Sequence, residues 1–261
     1  VGGNYTYNAN KVVSISSQAD FISIGSSTIA RVGSPFPILS GTTYQKDDNG
    51  RVIVNPKTGF PAATATTSDL GITEPKHRLG LDLSASYKGF RFATVFEYRT
   101  GNVIFSSVST GYDFSGAGIR TTYFNRERFV VPNSSYLDPV TNTYVANTNI
   151  QTYTGGVDFW TNGPSNTSVT SNYVYSAAFW KMREASLAYT VPKSVLGSLK
   201  YVKGAEISIQ GRNLFQWAPK TNIYTDPEYS NAGSGSNAVG VTTLGQTPPG
   251  RYYGLSLSLT L

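Results

Sequence analysis

Arg251-Tyr-Tyr-Gly-Leu-Ser-Leu-Ser-Leu-Thr-Leu261 closes the chain on an unbroken alternation, and how it is read decides the fold. On a strand, successive side chains point to opposite faces. Leu255, Leu257, Leu259 and Leu261 therefore make one apolar face, and Ser256, Ser258 and Thr260 make a small polar one. The stripe fits a membrane strand with its leucines in lipid, and it fits a soluble sheet equally well. What separates the two is whether other segments repeat the pattern, carry aromatic residues at their ends and are joined by long polar loops.

They do repeat it. Leu79, Leu81, Leu83, Ala85 and Tyr87 alternate with Gly80, Asp82, Ser84, Ser86 and Lys88. After a tight turn at Lys88-Gly89, Phe90, Phe92, Thr94, Phe96 and Tyr98 alternate with Arg91, Ala93, Val95, Glu97 and Arg99, which predicts a hairpin with one aromatic face and one charged face. Further on, Phe179, Lys181, Arg183, Ala185, Leu187 and Tyr189 oppose Trp180, Met182, Glu184, Ser186, Ala188 and Thr190, and the lower half of this segment is the cleaner apolar face. Ala205, Ile207, Ile209 and Gly211 then point outward, with Glu206, Ser208, Gln210 and Arg212 inward. Near the N-terminus, strand-like segments around Val12, Val13 and Ile15 and around Phe21, Ile22 and Ile24 alternate less well.

Between these segments the connections alternate in length. A turn-rich stretch from Arg31 to Lys76 reads as a long structured loop; residues 101–174 are polar, with few strands; Val191 to Lys200 is short, with Pro192 suited to the first turn of a helix; Trp217 to Gly250 is long again. Outer-membrane barrels place short turns on the periplasmic side and long loops outside, so the final strand would run inward. A structureless stretch of such length is also improbable inside a compact soluble domain.

Composition narrows the classes. An apolar fraction of 39% and a charged fraction of 14%, with 18 Tyr, 13 Phe and 26 Gly, describe a β-rich chain with few helix formers. No run approaches the roughly 20 apolar residues that a membrane helix requires, whereas a barrel strand needs only about 10 alternating ones. The net charge of +6 comes from scattered Lys and Arg rather than a basic block, which argues against nucleic acid as a partner. Without cysteine there is neither a disulfide framework nor a thiolate metal site. The start at Val1-Gly-Gly, with neither Met nor a signal peptide, suggests a mature product or a piece of something longer.

Several stretches carry a resemblance to a known family. Ala178-Phe-Trp-Lys-Met-Arg-Glu-Ala-Ser-Leu-Ala-Tyr-Thr-Val-Pro-Lys193, Ile209-Gln-Gly-Arg-Asn-Leu-Phe215, Asp226-Pro-Glu228 and Tyr253-Gly-Leu-Ser-Leu-Ser-Leu-Thr-Leu261 look like the C-terminal region of SusC/RagA-type TonB-dependent outer-membrane transporters of Bacteroidetes. Ser86-Tyr-Lys-Gly-Phe90, Arg99-Thr-Gly101, Gly50-Arg-Val-Ile-Val54 and Thr58-Gly-Phe-Pro61 match it too, and the order is the family's. Two departures stand out: the last residue is Leu261 where the family commonly ends in Phe, and nothing resembles its plug domain or TonB box.

The resemblance implies an all-β, membrane-spanning antiparallel barrel segment, about the last third of a 22-stranded plugged barrel, with about 6 to 8 strands over residues 1–261. It also implies uptake of oligosaccharides or peptides across the outer membrane without catalysis or a cofactor. The partners it implies are the N-terminal part of the same transporter, with its plug and remaining strands, a SusD-like surface lipoprotein, TonB acting through the plug, and outer-membrane lipids. Two other classes stay open from the residues: a soluble β-sandwich that binds carbohydrate or serves as an adhesin, and a small outer-membrane enzyme barrel.

Individual residues offer little chemistry. His77 stands without a second His or any Cys to complete a zinc site, so it reads as a solvated interface residue, and Asp47-Asp-Asn-Gly50 lacks the spacing and distal Glu of a calcium loop. Asp226 and Glu228 stand two apart on a loop, where nothing holds them across a sugar, so they read as structural. Arg91, Glu97, Glu184, Glu206 and Arg212 should face the lumen, with Arg212 paired to Glu184 or Glu206. Among the loop aromatics, Trp160, Tyr153, Tyr224 and Tyr229 are the candidates to face a ligand in the vestibule, alongside Tyr123 and Phe124.

Overall fold

The computed structural model describes residues 1–16, 19–197, 201–230, 237–245, 247 and 249–261. Its frame is one six-stranded antiparallel sheet: β1 (Gly2–Tyr7), β2 (His77–Tyr87), β3 (Phe90–Thr100), β4 (Phe179–Thr190), β5 (Gly204–Trp217) and β6 (Tyr252–Thr260). Spatial order follows chain order, so each strand pairs with the next in sequence. The chain is all-β in plan, and among the described residues no helix is long and apolar enough to cross a membrane.

One face of this sheet is apolar and uncovered. Leu257 pairs with Ile207, Leu255 with Ile209, and Leu187 with both Ile209 and Phe92, so the outward rows of four strands merge into one surface. Leu255 and Leu257 are 75% and 64% exposed, and Phe92, Ile207 and Ile209 are exposed as well. Among the described residues no second sheet lies against them, as the sandwich reading requires. Lipid is the solvent in which such a face is stable. Aromatic residues mark both ends: Tyr98 stacks on Trp180 at 4.7 Å and Phe215 on Trp217 at 5.9 Å near the long loops, and Phe90 packs on Tyr189 at 4.5 Å near the tight turn.

The alternation predicted for residues 179–190 needs a correction. Met182 pairs with Phe96 and Glu184 with Val95, which leaves Arg183 as an extra residue in a β-bulge. Phe179 and Lys181 therefore do not share a face with Ala185, Leu187 and Tyr189: the first two are buried on the lumen side, and the last three face outward. A bulge also disturbs the ladder. Thr94, in the outward row of β3, donates to the carbonyl oxygen of Glu184 at 2.9 Å and so supplies a partner beside the bulge. Replacing Thr94 with Val should lower stability by about 1–3 kcal/mol, and Thr94→Ser should lose less, as measured by urea unfolding in detergent.

Three connections leave one end of the sheet, 8–76, 101–178 and 218–251, and two short ones, the Lys88-Gly89 turn and 191–203, leave the other, as the length parity predicted. The tight turn has Lys88 at φ 48° and Gly89 at φ 87°, the left-handed pair that a two-residue hairpin loop needs. In the longer of the two, a short helix, Lys193–Leu196, begins directly after Pro192. At the N-terminus no residue of β1 was named in advance and Val12, Val13 and Ile15 lie in no strand, whereas Phe21 and Ile22 lie in the short strand Phe21–Ser23.

The long connections form a dome with a core of its own. Val54, Phe129, Val131 and Phe159 are buried together, with Phe60 and Trp160 packed against them. Short strands join the first two loops, Val52–Ile53 lying parallel to Ser134–Leu137, while Val241–Thr242 of the last loop pairs parallel with Val103–Ser106 of the second. Buried residues concentrate here, whereas the sheet leaves its leucine face exposed.

Candidate functional site

At the loop end of the sheet, the face opposite the leucine rows carries a compact ion-pair cluster. Arg99 lies near the end of β3, Lys181 and Arg183 lie at the upper end of β4, and the carboxylates come from Glu97 of β3 and from Asp226 and Glu228 of the last long loop. Lys181 Nζ donates to both carboxylate oxygens of Asp226 at 2.7 and 2.8 Å, and to Glu228 Oε2 at 2.9 Å. Arg183 forks across Glu228 at 2.5 and 2.7 Å and gives its Nε to Glu97 at 2.6 Å. Arg99 completes the set, bonding Glu97 at 2.5 Å and Glu228 at 3.1 Å. The aliphatic and charged parts of all three cations gather around the ring of Phe179.

Three positive and three negative groups balance, which lets Lys181 lie only 4% exposed. Burial acts to raise the carboxyl of Glu228, but the hydrogen bonds and charges of Arg183 and Lys181 outweigh it and bring its pKa down to about 2. A carboxyl held below its unfolded value stabilises fully above the ordinary Glu range near 4.3 and loses that contribution as pH falls toward its folded value. The loop contact should therefore survive acidification through pH 4 and loosen only toward about pH 2. Pepsin nicking within 229–250, followed from pH 4 to 2, checks this.

The residues expected to face the lumen lie on the same face of the sheet as this cluster, four of them in two further and looser pairs. Arg212 meets Glu184 at 3.3 Å, and Arg91 meets Glu206 at 3.5 Å, with Arg91 and Arg212 both well exposed. Exposed pairs of this kind contribute about 0–1 kcal/mol. Glu97 belongs instead to the buried cluster. Lys181, Arg183, Arg99 and Phe179 were not singled out from the sequence, although three cations on adjacent strands opposite a two-carboxylate loop motif were the available signal.

The four candidate aromatics do not converge. Tyr153 stands 70% exposed on the dome. Trp160 packs edge-on against Tyr123 and Phe159, with the Arg120 guanidinium 5.4 Å over its ring. Tyr224 and Tyr229 do share a wall, that of a cavity of about 90 Å³ also lined by Val108, Asp226 and Thr242. The Tyr224 hydroxyl, however, accepts the backbone N–H of Ile119 at 2.6 Å, so part of its role is to hold the loops together. Beside them lies a second buried knot: Asp113 takes Arg120 and, at 3.0 Å, the hydroxyl of Tyr173, whose own ionisation is pushed up by burial and by the Asp113 charge.

The remaining motifs are structural. His77 shares a hydrogen bond with the Tyr5 hydroxyl at 2.7 Å and touches the ring of Tyr7, both across the β1–β2 pair. Asp47 accepts from the backbone N–H groups of Asn49 and Arg51 and from Arg51 Nε, which makes the predicted tight turn. Among the described residues, no group of three His, Cys, Asp or Glu is placed to hold a metal.

No protein-family model matches the chain, and no curated protein matches it. Solved structures do. The RagAB peptide importer in its open-open state superposes with a TM-score of 0.64 at 16% identity, over 99% of this chain and 26% of that one. The closed-closed state gives 0.65 at 17% identity over 98% and 26%, and a further structure of the RagAB peptide transporter gives 0.62 at 16% identity over the same shares. These are transporters rather than enzymes, and the chain spans about a quarter of their length. The fold implied by the resemblance to SusC/RagA-type transporters is thus the one observed: this chain has the fold of a section of the RagAB importer.

Proposed function

We propose that residues 1–261 form the C-terminal part of the barrel of an outer-membrane, TonB-dependent importer. The rest of the same transporter supplies the plug and the other strands, and a SusD-like surface lipoprotein works with it. The observation that carries this reading is the uncovered leucine face of a sheet whose three long connections all leave one end. In a membrane that face meets lipid, and the free backbone of β1 and β6 needs neighbouring strands, since unpaired strand edges are not stable in hydrocarbon.

The likeness to structures described as a peptide importer supports peptides over oligosaccharides as cargo. In this role the six strands are wall, and the dome is part of the outer rim. Tyr153, exposed on the dome, and Tyr224 with Tyr229 at their shared cavity are the aromatic surfaces offered to a passing chain.

The test is to extract the native assembly in detergent and measure its mass and composition. The chain should accompany a plug-bearing portion and a lipoprotein, and membranes containing the assembly should take up labelled peptides in an energy-dependent way. A chain that is soluble and monomeric without detergent or partner sinks the proposal.

A further inference from the structure

We propose that the Asp226-Pro227-Glu228 turn is a strap that holds the last long loop down on the barrel wall and closes the cavity beneath it. Its seat belongs to the wall strands β3 and β4. The charged groups of Arg99, Lys181 and Arg183 all lie 5.0–5.6 Å from the centre of the Phe179 ring, and like charges gathered around one ring repel one another when bare. Glu97 alone cannot neutralise them. The loop brings the two missing carboxylates, each bonded to at least one wall cation.

The turn itself is pre-shaped. The backbone N–H of Glu228 donates to Asp226 Oδ1 at 2.9 Å, and that of Tyr229 donates to the Asp226 carbonyl oxygen at 3.1 Å. Pro227 restricts φ between the two acids. Little ordering remains when the strap docks, and so it acts as a unit.

Beneath it is a cavity of about 160 Å³ at the roots of the three long loops, lined by Arg78, Asn102, Ile104, Phe179, Glu228 and Gly240 among others. The side-chain oxygen of Asn102 is buried without a hydrogen-bond partner, and Ile104 is 2% exposed. Space of that size with an unsatisfied acceptor holds several waters rather than a packed core. Lifting the strap therefore opens ground that is already hollow and leaves the strand ladder intact. The inference concerns the state of the loop and stands apart from what the barrel transports.

Cysteine accessibility in the full-length protein tests it, with the protein lacking the added cysteine as the blank. Ile104→Cys should react slowly with a small maleimide. Adding Asp226→Asn and Glu228→Gln should raise the rate at least tenfold, and Glu228→Asp, which keeps the charge but shortens the reach, should raise it several-fold and serves if the double change does not fold. In the Ile104→Cys parent, 1 M NaCl should leave the rate unchanged, because the Lys181–Asp226 pair at the centre of the seat is buried. Equal rates with and without the strap carboxylates, or a parent rate that climbs with salt, overturn the strap.

Discussion

Arginine at Leu257 is expected to destabilise the folded barrel by about 2–4 kcal/mol, the depth-dependent cost of a cation on a lipid-facing position near the bilayer midplane. Leu257 sits in the middle of the outward row of β6, opposite Ile207 and far from any lumen charge that could receive it. Ser256, one residue earlier, points to the opposite face across from Ser208, and Ser256→Arg should change stability by less than about 1 kcal/mol, since in the proposed barrel water and polar groups on that side can solvate the guanidinium. Urea unfolding of the full-length protein in lipid measures both. If Ser256→Arg proved the damaging change and Leu257→Arg the neutral one, the faces would be assigned backwards, because a strand offers each residue to one side or the other.

The second large effect is expected at Lys181. Replacing it with Met keeps the length of the side chain and removes its charge, which leaves Asp226 buried with its carboxylate pair abandoned. Breaking a buried pair from one side costs about 3–5 kcal/mol, far more than an exposed pair of the Arg91–Glu206 kind is worth. The loss should appear first as local release of the last loop rather than as unfolding of the sheet, because the loop can leave while the ladder stays paired. Limited proteolysis in 229–250 should quicken at unchanged unfolding midpoint. Asp226→Asn added to Lys181→Met should recover part of the loss, a coupling of about 0.5–3 kcal/mol between contacting residues.

How far the sequence revealed this structure depended on whether a segment's partners were local. β2, β3 and β6 follow from period-two alternation, which is a property of each strand alone, and the loop parity follows from counting. β1 escaped because Gly2 to Tyr7 lacks an apolar row; it is a strand because β2 offers it a ladder, with Tyr5 and Tyr7 meeting His77. The dome escaped for a related reason: its small sheets join residues some eighty apart, as where Val52 lies beside Ser134, and no local period announces such a contact. Among the site residues, the Arg212–Glu184 pair was foreseeable because register alone brings the two strands' charges together. The seat of Asp226 and Glu228 showed only as three cations on adjacent strands, since a long loop folds back over β3 and β4 to reach it.

The bulge in β4 has a meaning for how such a chain can change over generations. With Arg183 removed, Phe179 to Thr190 would alternate perfectly, every remaining side chain keeping the face it has now. A single-codon deletion there would leave the wall as well patterned as before and erase the residue that grips both Glu97 and Glu228. Loop anchorage is thus a trait the lineage can gain or lose by one insertion, without renegotiating the membrane surface.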